Sequence, residues 1–271
     1  MPLPIRALRK IGRVLSPPNL KPARPFRTYM QACAICHAIT PCHEYSFQDL
    51  LKIYGDYRSE TYTSDRISVE PTYARIAKEI GSHPLEIQNR NKALDSFLGR
   101  NAKYFSGRAM LDYGGSDGRL IPSFLFQHFE DIHIFDASAV PVHPSVDAKR
   151  VKKLSEPKPG SYSFLACMQV LEHVGNPRAF VVHASEFVAP GGLIYLEVPH
   201  ELTQSVGDEF DQRIIDTPIF IHEHLNLFDR MSMRGLIESI EGLELVDDEE
   251  EALDIGWIVG NFGRFLARKA K

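Results

Sequence analysis

The chain has 271 residues, enough for one large domain or for a medium-sized domain with a smaller appendage. Its 44% hydrophobic and 24% charged residues, net charge of −4 and pI near 6.3 are typical of a globular protein and give no general attraction to nucleic acid. No segment approaches the roughly 18 consecutive apolar residues of a membrane span, and neither a signal sequence nor a disulfide scaffold is indicated. We therefore expect a cytoplasmic protein that does not bind nucleic acid.

Residues 1–30 form a basic, proline-rich segment. Four apolar residues between Ile5 and Leu15 follow the spacing of one helical stripe, and basic residues lie mostly off that stripe. This pattern predicts a short amphipathic helix that can make peripheral contact with an anionic membrane through residues 1–27. The alternatives are a mobile tail or a strip that packs on its own domain.

Residues 31–105 form a second zone that has few strand signals. Helical spacing in Pro71–Ile80 and again in about Pro84–Leu98 predicts two helices, with Gly99 as the cap that ends the second. We expect this zone to be a helical lid.

Apolar strands and helices alternate from about residue 106 to the C-terminus. The βαβαβ pattern predicts an α/β domain over residues 106–271 in which a mostly parallel sheet is covered on both faces. The acidic cluster Asp247–Glu251 interrupts the apolar pattern, and we interpret it as a solvated loop.

The segment Ala109–Ile121 is a strand that runs into a glycine-rich loop. Its spacing is acidic-x-G-x-small-x-G, with Asp112, Gly114, Ser116 and Gly118 on the marked positions, and it does not fit the G-x-G-x-x-G pattern of dinucleotide sites. The pattern resembles motif I of the class I S-adenosylmethionine (SAM)-dependent methyltransferases. The resemblance implies a Rossmann-like seven-stranded, mostly parallel sheet with an N-terminal helical lid extension, and SAM as the cofactor.

A second acidic residue, Asp136, follows the next predicted strand, Asp131–Phe135. A carboxylate in this place can accept two hydrogen bonds from a ribose diol. The alternative is an aspartate that merely ends a strand.

The segment Ser161–Pro199 contains a buried strand, the run VLEHV, a helix capped by Asn176 and a Pro-Gly-Gly turn before another strand. It resembles the methyltransferase domain 23 family, over roughly residues 106–245. In that resemblance Asp112 and the backbone of Gly114 and Gly115 meet the ammonium group of SAM. Met168 and Gln169 line its sulfonium, and the segment Lys153–Glu156 lies near the adenine.

A candidate base lies in the segment Ile219–Phe228. His222, Glu223 and His224 resemble an HEH-L element of sugar methyltransferases, and histidine suits the removal of a proton near neutral pH. Structural or substrate-binding histidines and a metal pair are the alternatives; we favour His224 as the base and assign no metal ligand. A structural role is expected for Glu172 and His173, and His200 and Glu201 are weaker candidates.

The cysteines Cys33, Cys36 and Cys42 resemble the start of a zinc module found before the SAM domain of some sugar methyltransferases. Four ligands are needed, so His37, His43 or His83 has to complete the site. A metal-free remnant of that module, or plain buried thiols, is the favoured interpretation.

These features together predict a SAM-dependent methyltransferase that acts on a small-molecule acceptor, most plausibly a hydroxyl of a sugar or a polysaccharide precursor. Asn226, Leu227 and Phe228 replace the tyrosine-bearing continuation of sugar C-methyltransferases, which argues against C-methylation. The alternatives are a sugar C-methyltransferase, an NAD(P)-dependent oxidoreductase and a non-catalytic scaffold with a SAM-type fold.

Overall fold

The computed structural model describes residues 30–33, 38–42, 45, 48, 59–69, 71–138, 140–147, 149–200 and 224–271. The strands are β1 (Met30–Ala32), β2 (Ile39–Pro41), β3 (Ala109–Tyr113), β4 (Asp131–Phe135), β5 (Val151–Leu154), β6 (Tyr162–Met168), β7 (Val188–Pro199), β8 (Leu243–Asp254) and β9 (Val259–Lys269). The helices are α1 (Glu60–Val69), α2 (Pro84–Arg100), α3 (Ser123–His128), α4 (Pro177–Phe187) and α5 (Arg230–Glu238). None of the helices in these ranges is long and apolar enough to cross a membrane.

Seven strands form one sheet in the order β5-β4-β3-β6-β7-β9-β8, and β1 pairs with β2 separately. Five neighbouring strands, β5, β4, β3, β6 and β7, are parallel to one another. Strand β9 runs antiparallel to both of its neighbours, β7 and β8. This is the mostly parallel α/β sheet that the sequence predicts.

Each face of the sheet is covered by helices because successive strand residues point to opposite sides. On one face, Leu111, Leu165 and Cys167 pack against α4 and α5. On the other face, Met110, Phe164 and Ala166 pack against α2 and α3. The fold class predicted from the sequence is therefore confirmed, and α2 shares the hydrophobic core of the sheet.

The helix ends agree with the sequence pattern at α4 and differ from it at α2 and at Pro71–Ile80. Asn176 caps α4 by accepting a hydrogen bond from the Ala179 N–H at 3.0 Å, as predicted. The predicted cap at Gly99 is wrong, because α2 continues to Arg100 and Asn101 is the C-terminal cap. The helix predicted over Pro71–Ile80 is reduced to the 3-10 helix Pro71–Arg75 and turns.

The acidic cluster Asp247–Glu251 is part of strand β8, so its interpretation as a solvated loop is wrong. Arginines from neighbouring elements compensate the charge of four of these five residues. Arg100 pairs with Asp247 and Glu249, Arg230 with Asp248, and Arg264 with Glu249 and Glu251. The acidic strand is tolerated because these arginines, which come from other elements of the fold, neutralise its charge.

Candidate cofactor and acceptor site

The candidate site lies where the order of the sheet reverses. β3 is the first strand of the sheet, and it pairs in parallel with β4 on one side and β6 on the other. In open parallel sheets, ligands bind at the carboxyl ends of the strands beside such a switch point. The glycine-rich loop follows β3 there, Asp136 follows β4, and Gln169 follows β6.

The glycine-rich loop has positive φ angles at three positions, a backbone conformation that favours glycine. Gly114 and Gly118 have φ values of 81° and 82°, and Ser116 has a φ of 46°. A Cβ atom on Gly114 would lie 2.4 Å from Cγ2 of Val170, so no larger residue fits. The loop therefore presents main-chain atoms, without side chains in the way, to a ligand at the end of β3.

Asp112 is a buried carboxylate directly beneath this loop. It is 1% exposed, and a Cβ atom on Gly115 would lie 2.3 Å from its Oδ2. Neither carboxylate oxygen accepts a hydrogen bond from a residue that the structure describes. Burial first, and then the charge of Asp136, raise the pKa of Asp112 to about 7. Such a carboxylate fits a cationic ammonium group, because a cation supplies both the charge and the hydrogen bonds.

Asp136 joins the end of β4 to the glycine-rich loop. Its Oδ2 accepts a hydrogen bond from the Ser116 N–H at 2.8 Å, and its Oδ1 accepts bonds from the N–H and the hydroxyl of Ser138 at 2.7 and 2.5 Å. A carboxylate has about four acceptor positions. Three of these positions are occupied by the bonds from Ser116 and Ser138, so one is left for a ribose hydroxyl. A bond to the second hydroxyl of the ribose requires Ser138 to release one of its two hydrogen bonds.

Met168 and Gln169 lie at the carboxyl end of β6, as the prediction requires. Gln169 has a φ of 57°, which is unusual for a residue other than glycine, and its N–H donates to the Glu197 carbonyl at 2.9 Å. In the segment predicted to lie near the adenine, the Lys153 ammonium donates to the carbonyls of Ser116 and Val140 at 3.3 and 2.6 Å. The structure thus brings all the predicted cofactor residues to one edge of the sheet.

A buried ionic network beside this edge was missed by the sequence analysis. Arg90 on α2 pairs with Glu197 on β7 at 2.5 Å and with Glu86 at 3.4 Å. Arg264 on β9 contacts the other oxygen of Glu197 at 3.2 Å. Burial opposes ionisation of Glu197, but these two arginines outweigh it and lower its pKa. The charge of Arg90 also favours the ionised form of Asp112, so this guanidinium is electrostatically coupled to the candidate cofactor site.

A signal for this network was present in the helical pattern. Glu86 and Arg90 are one turn apart on the same face as the apolar residues Leu94 and Phe97. Charged residues on the apolar face of a helix are rarely buried without partners.

Glu172, His173 and His224 form a cluster just beyond Gln169. His173 Nε2 lies 3.8 Å from Glu172 Oε1, and the rings of His173 and His224 are 5.0 Å apart between centroids at 72°. His222 and Glu223, the other two members of the predicted base motif, lie outside the described residues. The structure therefore adds Glu172 and His173, for which we expected only a structural role, to the surroundings of His224.

The other residues predicted as catalytic or metal-binding candidates either lie away from this cluster or fall outside the described residues. His200 is 4% exposed, lies 3.3 Å from Glu250 on β8 and contacts the ring of Phe265. Glu201, Cys36, His37 and His43 lie outside the described residues, while Cys33 is half-buried and Cys42 is exposed. The zinc module consequently stays a prediction.

Comparison with known proteins identifies the family. Residues 87–247, more than half of the chain, match the family model described as a methyltransferase domain. A ubiquinone biosynthesis O-methyltransferase of Burkholderia vietnamiensis is 22% identical over 116 residues, which cover 41% of this chain and 48% of that protein. A second protein of that name, from Burkholderia ambifaria, is 27% identical over 90 residues, 31% of this chain and 38% of that protein. The chain thus spans less than half the length of these two curated relatives.

Solved structures of methyltransferases share the fold. The 1,6-didemethyltoxoflavin-N1-methyltransferase of Burkholderia thailandensis, crystallised with S-adenosylhomocysteine, is 12% identical with a TM-score of 0.55 over 86% of this chain and 96% of that chain. Phosphoethanolamine N-methyltransferase 2 of Haemonchus contortus, in complex with SAM, is 15% identical with a TM-score of 0.52 over 86% of this chain and 62% of that chain. The family match, the strand order and the glycine-rich loop agree, and the chain belongs to the methyltransferase domain family of class I SAM-dependent methyltransferases.

Proposed function

We propose that this methyltransferase transfers the methyl group of SAM to a hydroxyl group of a small molecule. The observation that carries the proposal is the position of the cluster Glu172, His173 and His224. Glu172 and His173 follow Gln169, at the strand end that lines the candidate cofactor site, by a single short turn, and the ring of His224 lies 5.0 Å from that of His173. This position supports a role for the cluster in the loss of the acceptor proton beside the methyl group of SAM.

The predicted cofactor residues supply the binding half of this proposal. Asp112 and the loop backbone at Gly114 and Gly115 hold the ammonium end of the cofactor, and Asp136 holds the ribose. Met168 and Gln169 line the sulfonium. The support for these roles is the buried Asp112 carboxylate and the open backbone of the loop.

Bound SAM supplies a methyl group on a positively charged sulfur, which leaves with the electron pair of the broken carbon–sulfur bond. The protein has to orient the acceptor and exclude water. A hydroxyl acceptor also has to lose its proton, because an alcohol is a weak nucleophile. We propose that this loss depends on His224, the member of the predicted base motif that the structure describes.

The proposed acceptor class is a hydroxylated small molecule. Two relatives bear the name O-methyltransferase, which supports transfer to oxygen. The sugar-like acceptor predicted from the sequence is one of the acceptor classes that the test compares. The two solved structures compared above are named as N-methyltransferases, so amines are tested as the competing acceptor class.

The test measures release of S-adenosylhomocysteine by mass spectrometry from the full chain, SAM and one acceptor at a time. Phenols, catechols and sugar alcohols are compared with amines that carry no hydroxyl group. We expect release with at least one hydroxylated class and an O-methyl product by NMR. Turnover confined to the amines would overturn the proposal.

Two further proposals concern the N-terminal segment and the domain boundaries. Removal of residues 1–27 is expected to abolish co-sedimentation with anionic vesicles while leaving turnover of a water-soluble acceptor unchanged. The division into residues 1–30, 31–105 and 106–271 predicts that limited proteolysis cuts first near residue 30. A cut near residue 105 should be slow, because α2 and Phe105 pack in the core of the sheet.

A further inference from the structure

We propose that Glu172, His173 and His224 bind one divalent transition-metal ion. Binding itself is independent of the proposed function, whereas the effect of the ion on the acceptor rests on it. The cluster offers one carboxylate and two imidazoles, a donor set that suits Zn²⁺ and Co²⁺ better than Mg²⁺ or Ca²⁺.

The distances within the cluster are close to those of a metal site. One donor atom from each residue lies within 4.8 Å of the other two, and the Glu172–His173 distance is 3.8 Å. Zinc-to-ligand bonds of about 2.0–2.2 Å at tetrahedral angles place the donor atoms about 3.4 Å apart. The donors therefore have to approach one another by up to about 1.4 Å, which is within the reach of side-chain rotations.

The backbone on both sides of the cluster is fixed. The N–H groups of Leu225 and Asn226 donate to the Glu172 carbonyl at 2.7 and 3.0 Å. The side-chain amide of Asn226, which is fully buried, donates to the carbonyls of Leu171 and Val174 at 3.0 and 2.7 Å. These four hydrogen bonds hold the turn that carries Glu172 and His173 against the segment that carries His224. A site built on such a support loses little entropy when it takes up an ion.

Burial adds an electrostatic reason for a cation. The side chain of Glu172 is 1% exposed, whereas that of His173 is 21% exposed. A carboxylate taken out of water is stabilised by a nearby positive charge, and a divalent ion supplies more charge than a protonated imidazole. The more exposed imidazole leaves a route by which the ion and an acceptor can enter.

The consequence for the reaction concerns the acceptor hydroxyl. Three protein ligands leave at least one coordination position for an oxygen, and a divalent ion lowers the pKa of a hydroxyl that occupies it. The proton then passes to solvent, and the oxygen keeps the electron pair with which it attacks the methyl carbon. In this role His224 is a ligand of the ion, in place of the free base predicted from the sequence.

The test of binding uses the untagged full chain after treatment with EDTA. Co²⁺ is titrated and followed by its visible absorption, and Zn²⁺ is titrated by calorimetry. We expect one ion per chain, with affinity reduced at least about 100-fold in both Glu172→Gln and His224→Ala, and by about 10–100-fold in Asn226→Ala. Circular dichroism checks that each variant is folded, and the less buried His224 provides the second ligand variant if Glu172→Gln unfolds.

The matched control is His183→Ala on α4. His183 lies 3.3 Å from Glu186 on the surface, so it offers a histidine–carboxylate pair that has no third ligand among the residues the structure describes. Its variant should bind the ion like the unaltered chain. Equal affinity in all the variants, or no saturable binding, overturns the metal site.

Turnover separates this inference from the proposed function. We expect EDTA to abolish O-methyl transfer, Zn²⁺ or Co²⁺ to restore it, and affinity for S-adenosylhomocysteine to stay unchanged. Full turnover in EDTA together with loss of turnover in His224→Ala overturns the role of the ion in the reaction and leaves His224 as a base. A saturable, variant-sensitive site in a chain that methylates no hydroxyl confirms the site and overturns the proposed function.

Discussion

The guanidinium of Arg90 and the carboxylate of Glu197 form a buried ion pair, with 2.5 Å between Nη2 and Oε1. Their side chains are 6% and 1% exposed, and they connect α2 to β7 across the sheet. Gln169 donates its own backbone N–H to the carbonyl of Glu197 at 2.9 Å. One residue of β7 therefore holds both the helix that precedes the glycine-rich loop and the residue that lines the sulfonium in our proposal.

Replacing Arg90 by alanine should destabilise the protein by about 3–5 kcal/mol, because it leaves Glu197 as an incompletely compensated buried charge. Denaturant unfolding measures the change. The control is Arg108→Ala, which breaks the exposed pair Arg108–Glu130 and should cost under about 1 kcal/mol. Similar losses in the two variants would show that the buried pair has no special role.

Replacing Gly114 by alanine should weaken SAM binding and lower stability. The new Cβ would lie 2.4 Å from Val170, and the φ of 81° adds roughly 1 kcal/mol of strain. Gly99→Ala is the control, because no atom lies within 4 Å of its new Cβ and alanine favours the helix by up to about 1 kcal/mol. Thermal unfolding should shift to lower temperature for Gly114→Ala and to higher temperature for Gly99→Ala, and calorimetry should show weaker SAM binding only in Gly114→Ala. A Gly114→Ala chain that binds SAM normally contradicts the role of the loop.

The sheet and the candidate cofactor site at its strand ends can be predicted from the sequence, because the residue patterns that indicate them are local. The spacing of Asp112, Gly114 and Gly118 is set by one tight loop after one strand, and Asp136 directly ends the next strand. The acidic strand β8 could not be recognised in this way, because Arg264 and Arg100, which compensate its charge, come from separate elements. The meeting of His224 with Glu172 likewise depends on tertiary contacts through Asn226, which no spacing in the sequence reveals.

Affinity for S-adenosylhomocysteine should fall as the pH decreases below about 7. The pKa of Asp112 is raised to about 7 by burial and then by Asp136, so the carboxyl is mostly protonated below that pH. An ammonium group requires the ionised form, so binding releases a proton and affinity drops by up to about tenfold for each pH unit. Calorimetry between about pH 5.5 and 7.5 measures this slope, which Asp112→Asn should abolish. An unchanged slope in that variant would remove Asp112 from contact with the ammonium.

Replacing His224 by alanine should lower kcat by about 10²–10⁴-fold, the range expected when proton removal is lost. Affinity for SAM should stay within about twofold, because the predicted ribose and ammonium contacts lie at Asp136 and Asp112. Steady-state kinetics gives the first quantity and calorimetry the second. His183→Ala provides the control, and a His224→Ala enzyme with unaltered kcat would exclude His224 from the reaction.

The central claim is that SAM binds at the carboxyl ends of β3 and β4, against the glycine-rich loop and Asp136, and calorimetry on the full chain tests it most directly. We predict that SAM and S-adenosylhomocysteine bind and that NADH does not. Asp136→Ala should weaken binding by about 1.5–3 kcal/mol, the value of charge-assisted hydrogen bonds, while Asp131→Ala at the exposed start of the same strand should have no effect. Unchanged affinity in Asp136→Ala, or binding of NADH in place of SAM, would contradict the account.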